Sequence, residues 1–342
     1  VQPIVHESAS RESLREHAHP DWLVEDLSFQ EVSYSNQRCP HCAGKLHLQL
    51  RKVQDPSSGD SFEILRCDCC GLGKTWPMPS DLAPYYENYH GGRHGATDQR
   101  CVNRRISIVD DATRSSNPGM MLDIGCGDGS FLLAARKCGW QVQGTEYNPR
   151  EARHRGLDVV TDLCQIPDTS AFDCITLWHS LEHLPDPMGT LKCIRERLLP
   201  TGVLLISVPD IDGAQARVFG RRWFHLDVPR HLYHFNKTSL SALLRATGFS
   251  PVQRWHQEFE YDLIGWIQST LNCFLPTPNV FMNLMMRRPQ RCSAIEKVAS
   301  FIGGVLLTGL AVPLVLIGSV FRRGATLIVA AHPCDLKPDD AA

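Results

Sequence analysis

From Met120 onward the chain alternates short apolar or β-branched runs with helix-length pieces. The runs are MMLDI (120–124), QVQGT (141–145), LDVVT (157–161), CITLW (174–178) and VLLISV (203–208). Strands at this spacing, each followed by enough chain for a crossover helix, predict a parallel α/β sheet. PVQRWH (251–256) and TLIVAA (326–331) add two more expected strands. Upstream, KLHLQLRKV and SFEILRC alternate with the period that suits a small β-ribbon. Residues 80–118 are polar, with a Tyr- and Gly-rich stretch, YYENYHGGRHG, and then an expected helix over Gln99–Ser115. The expected organisation is a lead-in (1–35), a cysteine-bearing ribbon (36–78), a linker with helices (79–118), a ligand-binding core (119–261), an apolar helical insertion (262–324), and the last strand with a tail (325–342).

Composition narrows the class. With 43% hydrophobic and 21% charged residues in 342, the chain is neither a disordered tail nor collagen-like. A net charge of −2 gives no overall basic balance for a polyphosphate partner. The Arg pairs at 104–105, 221–222 and 287–288 are dispersed, so a nucleic-acid partner is not expected. Nine of the 14 cysteines lie outside the one clear cluster and are scattered. That fits a reducing, cytoplasmic compartment. Residues 1–35 are polar and show no apolar signal segment.

The first core strand runs into LDIGCGDGSF (122–131). Gly125, Gly127 and Gly129 crowd the strand-to-helix turn, where backbone N–H groups can approach a ligand closely. Dinucleotide sites also use such turns. Here Asp123 precedes the loop, Glu146 ends the second strand in GTEYNP, and Asp162-Leu163 end the third. A carboxylate at the second strand end can accept from both ribose hydroxyls. An acid beside an apolar residue at the third can flank an adenine.

LDIGCGDGSF is followed by TEYNP, FDCITLWHSLEHLPDP (172–187), RERLLPTGVLLISVPD (195–210) and DVPRHLYHFNKTSLSALLRATGF (227–249). This series resembles class I S-adenosylmethionine-dependent methyltransferases over residues 118–256. The branch it is most similar to comprises quinone-biosynthesis O-methyltransferases and the methyltransferases of bacterial sugar and polysaccharide pathways. The resemblance implies a Rossmann-like seven-stranded sheet whose last strand is antiparallel. It implies that Asp123, Gly125, Gly127 and Gly129 hold the methionine end of the cofactor, Glu146 the ribose, and Asp162 with Leu163 the adenine. Trp178 and, from the Tyr-rich segment, Tyr89 are the further cofactor contacts expected.

The chemistry is expected at the carboxyl ends of the strands. The fourth strand ends at Trp178-His179, with Glu182 and His183 one turn on. WFHLDVPRHLYHF (223–235) adds Asp227, Arg230, His225, His231 and His234, and could lid the acceptor pocket. Histidine titrates nearest neutrality and can take a proton from an attacking hydroxyl or amine. His179, His183, Arg230 and His231 are therefore the catalytic candidates. Braced helix starts and satisfied buried histidines are the alternative reading.

Cys39-Pro-His-Cys42 and Cys67-Asp-Cys-Cys70 are two turns, each aiming two thiolates at one point. Four thiolates make a closed, structural Zn²⁺ site. Cys39, Cys42, Cys67 and Cys70 are the expected ligands, and Cys69 the bystander. Zinc ribbons beside this fold resemble sugar-pathway methyltransferases and, less well given the charge, ribosomal RNA methyltransferases.

Residues 263–286 and 298–321 carry no charged side chain, and RRPQRCSAIEK (287–297) lies between them. Flanking strands of one sheet require such an insertion to enter and leave on the same side. A helical hairpin on the cytoplasmic leaflet, with the Arg at headgroups, is the expectation. A buried subdomain or a homodimer face is the alternative. The expected activity is methyl transfer to a hydroxyl, or an amine, of a small or lipid-linked acceptor. A sugar or glycan comes first and a quinone-like lipid second. RNA methylation, or a scaffold that has lost catalysis, are the readings against it.

Overall fold

The computed structural model describes residues 34, 37–86, 98–114 and 118–335. Of the compact unit Val1–Gln37 only Tyr34 and Gln37 are described; all that follows concerns the second unit, Arg38–Ala342.

The elements in chain order begin with β1 (Leu46–Gln54), β2 (Ser61–Cys67) and β3 (Gly73–Trp76), an antiparallel meander. The alternation read in SFEILRC is real packing: Phe62, Ile64, Leu65 and Cys67 are buried. Next come the short helix α1 (Ala83–Tyr86) and α2 (Asp98–Thr113), the latter within a residue or two of its expected bounds. The core continues as β4 (Met120–Ile124), α3 (Ser130–Lys137), β5 (Gln141–Thr145), α4 (Arg150–His154), β6 (Val159–Val160), β7 (Phe172–Trp178), α5 (Pro187–Arg197) and β8 (Leu198–Pro209). It is completed by α6 (Ala214–Phe219), β9 (Tyr233–His234), α7 (Lys237–Ala246), β10 (Phe249–Trp255), α8 (Phe259–Phe274), α9 (Val280–Met285), α10 (Ala294–Val320) and β11 (Thr326–Pro333).

Seven strands form one sheet in the order β10-β11-β8-β7-β4-β5-β6, with β11 antiparallel to both neighbours. This is the seven-stranded mixed sheet expected. Cys174, Ile175 and Leu177 of β7 and Leu204, Leu205 and Ile206 of β8 are wholly buried. Strands covered on both faces read as continuous apolar runs for that reason. The chain leaves β4 toward β5 and β6 on one side, then returns to build β7 and β8 on the other. The crevice at that switch point, beyond the carboxyl ends of β4 and β7, is where such sheets bind ligands.

Two features were not expected. The third run, LDVVT, is strand only over Val159–Val160, because it pairs on one side alone as the sheet edge. The cysteine-bearing meander is also not a separate sheet: β3 pairs with β9, so residues from the core extend it to four strands. The apolar insertion forms three helices, α8, α9 and α10, between β10 and β11. α10 is 27 residues long, and its Ser293 N-cap and Glu296 form a capping box.

Candidate active site

The turn after β4 is built from residues that lack a Cβ for two distinct reasons. Gly125 (φ 77°) could not carry one, since it would lie 2.7 Å from Ser180 Cβ. A Cβ at Gly127 (φ 56°) would meet nothing within 4 Å among the described residues, so its face is open to a ligand. Gly129 precedes α3, where a Cβ would strike Leu157. Glu146, at the end of β5, accepts a hydrogen bond from Gly127 N at 2.8 Å. Asp162, at the end of β6, caps the next turn and accepts from Cys164 N at 2.7 Å, which holds its carboxyl low; Leu163 follows half-buried. Asp123 is 2% exposed and accepts from Thr176 Oγ1 at 2.6 Å. Burial, partly offset by that bond, pushes its carboxyl up to about 7. Three successive strand ends thus present an acid around a glycine turn with an open face. That donor set fits a nucleoside bearing an aminoacyl tail: carboxylates for hydroxyls and ammonium, bare amides for a carboxylate.

Ser180, in contact with the glycine turn, leads into the second half of the site. His179 sits at φ 54°, in the left-handed region that few side chains adopt. Its ring lies between two carboxylates: Nε2 is 2.8 Å from Glu258 and Nδ1 3.6 Å from Glu182. Tyr261 stacks on it with ring centroids 4.0 Å apart. Burial works against protonation of His179, but Glu182 and Glu258 outweigh it and raise its pKa. Glu258 is 1% exposed and also accepts from Arg105 Nε at 2.7 Å and Cys101 Sγ at 3.0 Å. Burial opposes its ionisation, yet Arg105 and His179 hold its carboxyl well below the usual range.

His183 Nδ1 is 3.0 Å from the Arg230 carbonyl and 3.0 Å from Tyr86 Oη. A carbonyl only accepts, so Nδ1 is the donor in this contact. His231 is fixed the same way, with Nδ1 on the His225 carbonyl at 3.0 Å. One ligand-type atom each from Glu182, His183 and His231 lie within 4.8 Å of one another. Burial pushes His231 down to about 4, and His225 and His234 to about 3, so these three rings are neutral at pH 7.

The structure therefore brings His179, His183 and His231 into one cluster with Glu182. Arg230 differs. Each of its guanidinium nitrogens has a protein partner: Asp227, the Tyr85 carbonyl, and Asp55, which is itself 1% exposed. Its charge is held in a buried clamp between the meander and the 223–235 segment. Trp178 is buried under the crevice, edge-on to Phe131 and 4.9 Å beneath the Arg105 guanidinium. Tyr89 lies outside the described residues. Sequence reasoning missed Glu258, Tyr261, Arg105 and Asp55; for Tyr86, the YYENYH motif was the available signal.

The four expected thiols converge. Cys39 Sγ and Cys70 Sγ are 3.6 Å apart, Cys42 Sγ and Cys67 Sγ 3.4 Å. All four lie within 4.8 Å of one another. Sulfurs bonded at about 2.3 Å around a tetrahedral zinc are roughly 3.8 Å apart, so the donor set fits one. Gly44 permits the approach, since a Cβ there would sit 2.8 Å from Cys67 Sγ. Cys69 points out to solvent.

Residues 104–254 match the family described as Methyltransferase domain. Residues 104–254 thus form a class I S-adenosylmethionine-dependent methyltransferase domain. This methyltransferase is similar to the ubiquinone biosynthesis O-methyltransferase of Cereibacter sphaeroides: 26% identical over 167 residues, 44% of this chain and 68% of that one. It is 29% identical to that of Xanthomonas oryzae pv. oryzae over 141 residues, 37% of this chain and 59% of the relative. The matches thus span between 59% and 68% of these relatives' lengths. Among solved structures, the 1,6-didemethyltoxoflavin-N1-methyltransferase of Burkholderia thailandensis is 17% identical, with a TM-score of 0.46, covering 80% of this chain and 96% of that one. The glycine turn, Glu146, Asp162 and the His179–His183 segment fall inside the family match. The four clustered cysteines, Glu258, Tyr261 and α8–α10 of the methyltransferase fall outside it.

Proposed function

We propose that this methyltransferase alkylates a hydroxyl of a small or lipid-linked acceptor, with His183 as the proton acceptor. The observation that carries the reading is the His183 ring. Its Nδ1 lies 3.0 Å from the Arg230 carbonyl, which only accepts, so the neutral ring carries its proton there and leaves the Nε2 lone pair for a hydroxyl. Bound S-adenosylmethionine supplies the electrophilic methyl group. Asp123, Gly125, Gly127, Gly129, Glu146, Asp162 and Leu163 are assigned to hold it. His183 Nε2 receives the hydroxyl proton of the acceptor as its oxygen gains the methyl. His179, whose pKa Glu182 and Glu258 raise against the effect of burial, fixes the orientation of the 179–183 turn. Arg230 positions His183 through its own carbonyl, and His231 closes the far wall as a neutral ring.

Of the two acceptor classes expected from the sequence, the similarity to ubiquinone biosynthesis O-methyltransferases favours a quinone-like phenol over a sugar or glycan. Cys39, Cys42, Cys67 and Cys70 are assigned a structural Zn²⁺.

The test is methyl transfer from labelled S-adenosylmethionine to a prenylated catechol, with cofactor affinity measured in parallel. His183→Gln is expected to lower kcat by about 10²–10³ with cofactor Kd unchanged. An unaltered kcat in that variant rules His183 out. A chain that fails to bind the cofactor at all would favour the scaffold reading.

A further inference from the structure

α10 is long and apolar enough to cross a membrane by length and composition, yet only 17% of its apolar window is buried. The covered residues are Ser300, Gly304, Ala311 and Val315. At about 100° per residue they occupy an arc of roughly 60°. This arc faces α8 and α9, where Gly303 and Gly304 allow Leu271 and the Phe281 ring to approach closely. Phe301, Val305, Leu306, Leu310, Leu316 and Val320 are all exposed. With their neighbours they sweep roughly 220° of the circumference. Apolar patches of this extent mark a surface that is covered in use.

Three observations choose the cover. A helix seam with a second copy hides a stripe of about 100° and would leave half of this arc in water. A fluid apolar phase covers all of it. The helix is also collared by cations. Arg287, Arg288, Arg291 and Lys297 precede or open it, and Arg322 and Arg323 follow it, in a chain whose net charge is −2. The one acid there, Glu296, is folded into its own cap by Ser293 and Thr277. Finally, α10 cannot cross a bilayer as it stands. Its inner partner α8 is pinned by polar bonds to the 215–224 segment: Ser269 Oγ accepts from Phe224 N, and the Asn272 and Cys273 carbonyls from Arg222. A spanning hairpin would carry those polar groups into hydrocarbon, where they are costly.

We propose that α10 is a monotopic docking helix, lying in the plane of a leaflet rich in anionic lipid with its exposed arc among the acyl chains. Arg287, Arg291, Arg322 and Arg323 then sit at the phosphate level. Glu258 occupies the N-cap position of α8 and Tyr261 lies in its first turn, so the helix that carries α10 also supplies two walls of the proposed site. Resting on the proposed hydroxyl methylation, this assigns the acceptor to amphiphiles whose apolar tail stays in the leaflet.

The experiment is flotation of the full chain with vesicles of phosphatidylcholine alone and of equal parts phosphatidylcholine and phosphatidylglycerol. S-adenosylmethionine binding is measured on the same preparations. The protein is expected to float with the mixed vesicles. Leu306→Glu with Leu310→Glu is expected to lower partitioning at least about tenfold. Arg287→Glu and Arg291→Glu should each lower binding to anionic vesicles by about fivefold. Both pairs of side chains are exposed, so cofactor binding should be unchanged. Protein that stays with the dense fraction for both vesicles, or flotation that the two Leu substitutions leave unaltered, overturns the docking helix. A discrete dimer without flotation assigns the arc to a second copy and overturns it equally. Loss of cofactor binding with flotation intact counts against the methyltransferase site alone.

Discussion

Asp123 is a carboxyl poised by its surroundings. Buried at the end of β4, it is neutral below about 7 and ionised above. S-adenosylmethionine brings an ammonium and a sulfonium, so it favours the ionised form. Affinity should therefore rise with pH up to about 7, by at most tenfold per unit, and level off above it. Asp123→Asn should flatten the profile. Calorimetric Kd values across this range check both statements, and a wild-type profile without slope would sever Asp123 from the cofactor. The same raised pKa has a folding consequence of defined sign. The unfolded carboxyl ionises first, so between its ordinary value and about 7 stability falls as pH rises, until bound cofactor reverses the balance. Asp55 gives a second residue-scale prediction. Asp55→Ala takes one carboxylate from the buried Arg230 guanidinium, and should cost about 3–5 kcal/mol in urea unfolding. What was legible at this scale follows chain locality. Asp123, Glu146 and Asp162 stand at strand ends that the sequence marks by pattern. Asp55 and Glu258 reach the site from 175 and 79 positions away from the groups they bind, and no local pattern announces such pairs.

At the level of elements, the glycine turn and the cysteine knuckles are the two devices whose spacing carried their meaning. Gly127→Val separates folding from binding. A Cβ there meets none of the described residues within 4 Å, so thermal unfolding should shift little beyond the roughly 1–2 kcal/mol strain of a left-handed non-glycine. Cofactor affinity should fall by at least about tenfold, since the side chain fills the open face. Retained affinity would place the ligand elsewhere. The knuckles predict stoichiometric zinc, read by elemental analysis, and its loss in Cys39→Ser. Helix bounds were readable where caps are local: Asn236 and Ser239 form a capping box at the start of α7, as the Asn-x-Thr-Ser run suggests. The brevity of β6 was not, because edge status is a property of the sheet and not of LDVVT. Nor was the division of the apolar insertion. Asn272, Asn279 and Gln268 bond one another across the α8–α9 turn, and side chains that satisfy each other leave no periodic signature.

Across the whole molecule, the parallel core of the sheet followed from five apolar runs and the crossover lengths between them. Two larger relations did not. The chain's near-neutral total hides a basic collar around one helix, because a sum discards position. The cysteine meander looked like an appendage, yet it is knitted to the core through Arg66–Asp212, Asp55–Arg230 and the β3–β9 ladder.

That last ladder is only two residues long, Tyr233 and His234 against Gly73 and Lys74. Leu232 N, just before it, donates to the Glu182 carbonyl, and Thr75, just beyond it, donates its N–H to the Leu232 carbonyl and its Oγ1 hydrogen to the His231 carbonyl. The wall proposed for the acceptor site is thus tied to the strand that follows the thiol cluster by a handful of bonds. Chelation or oxidant exposure should silence the enzyme before it denatures: turnover would vanish while the far half of the sheet, with its nucleoside cradle, stayed folded.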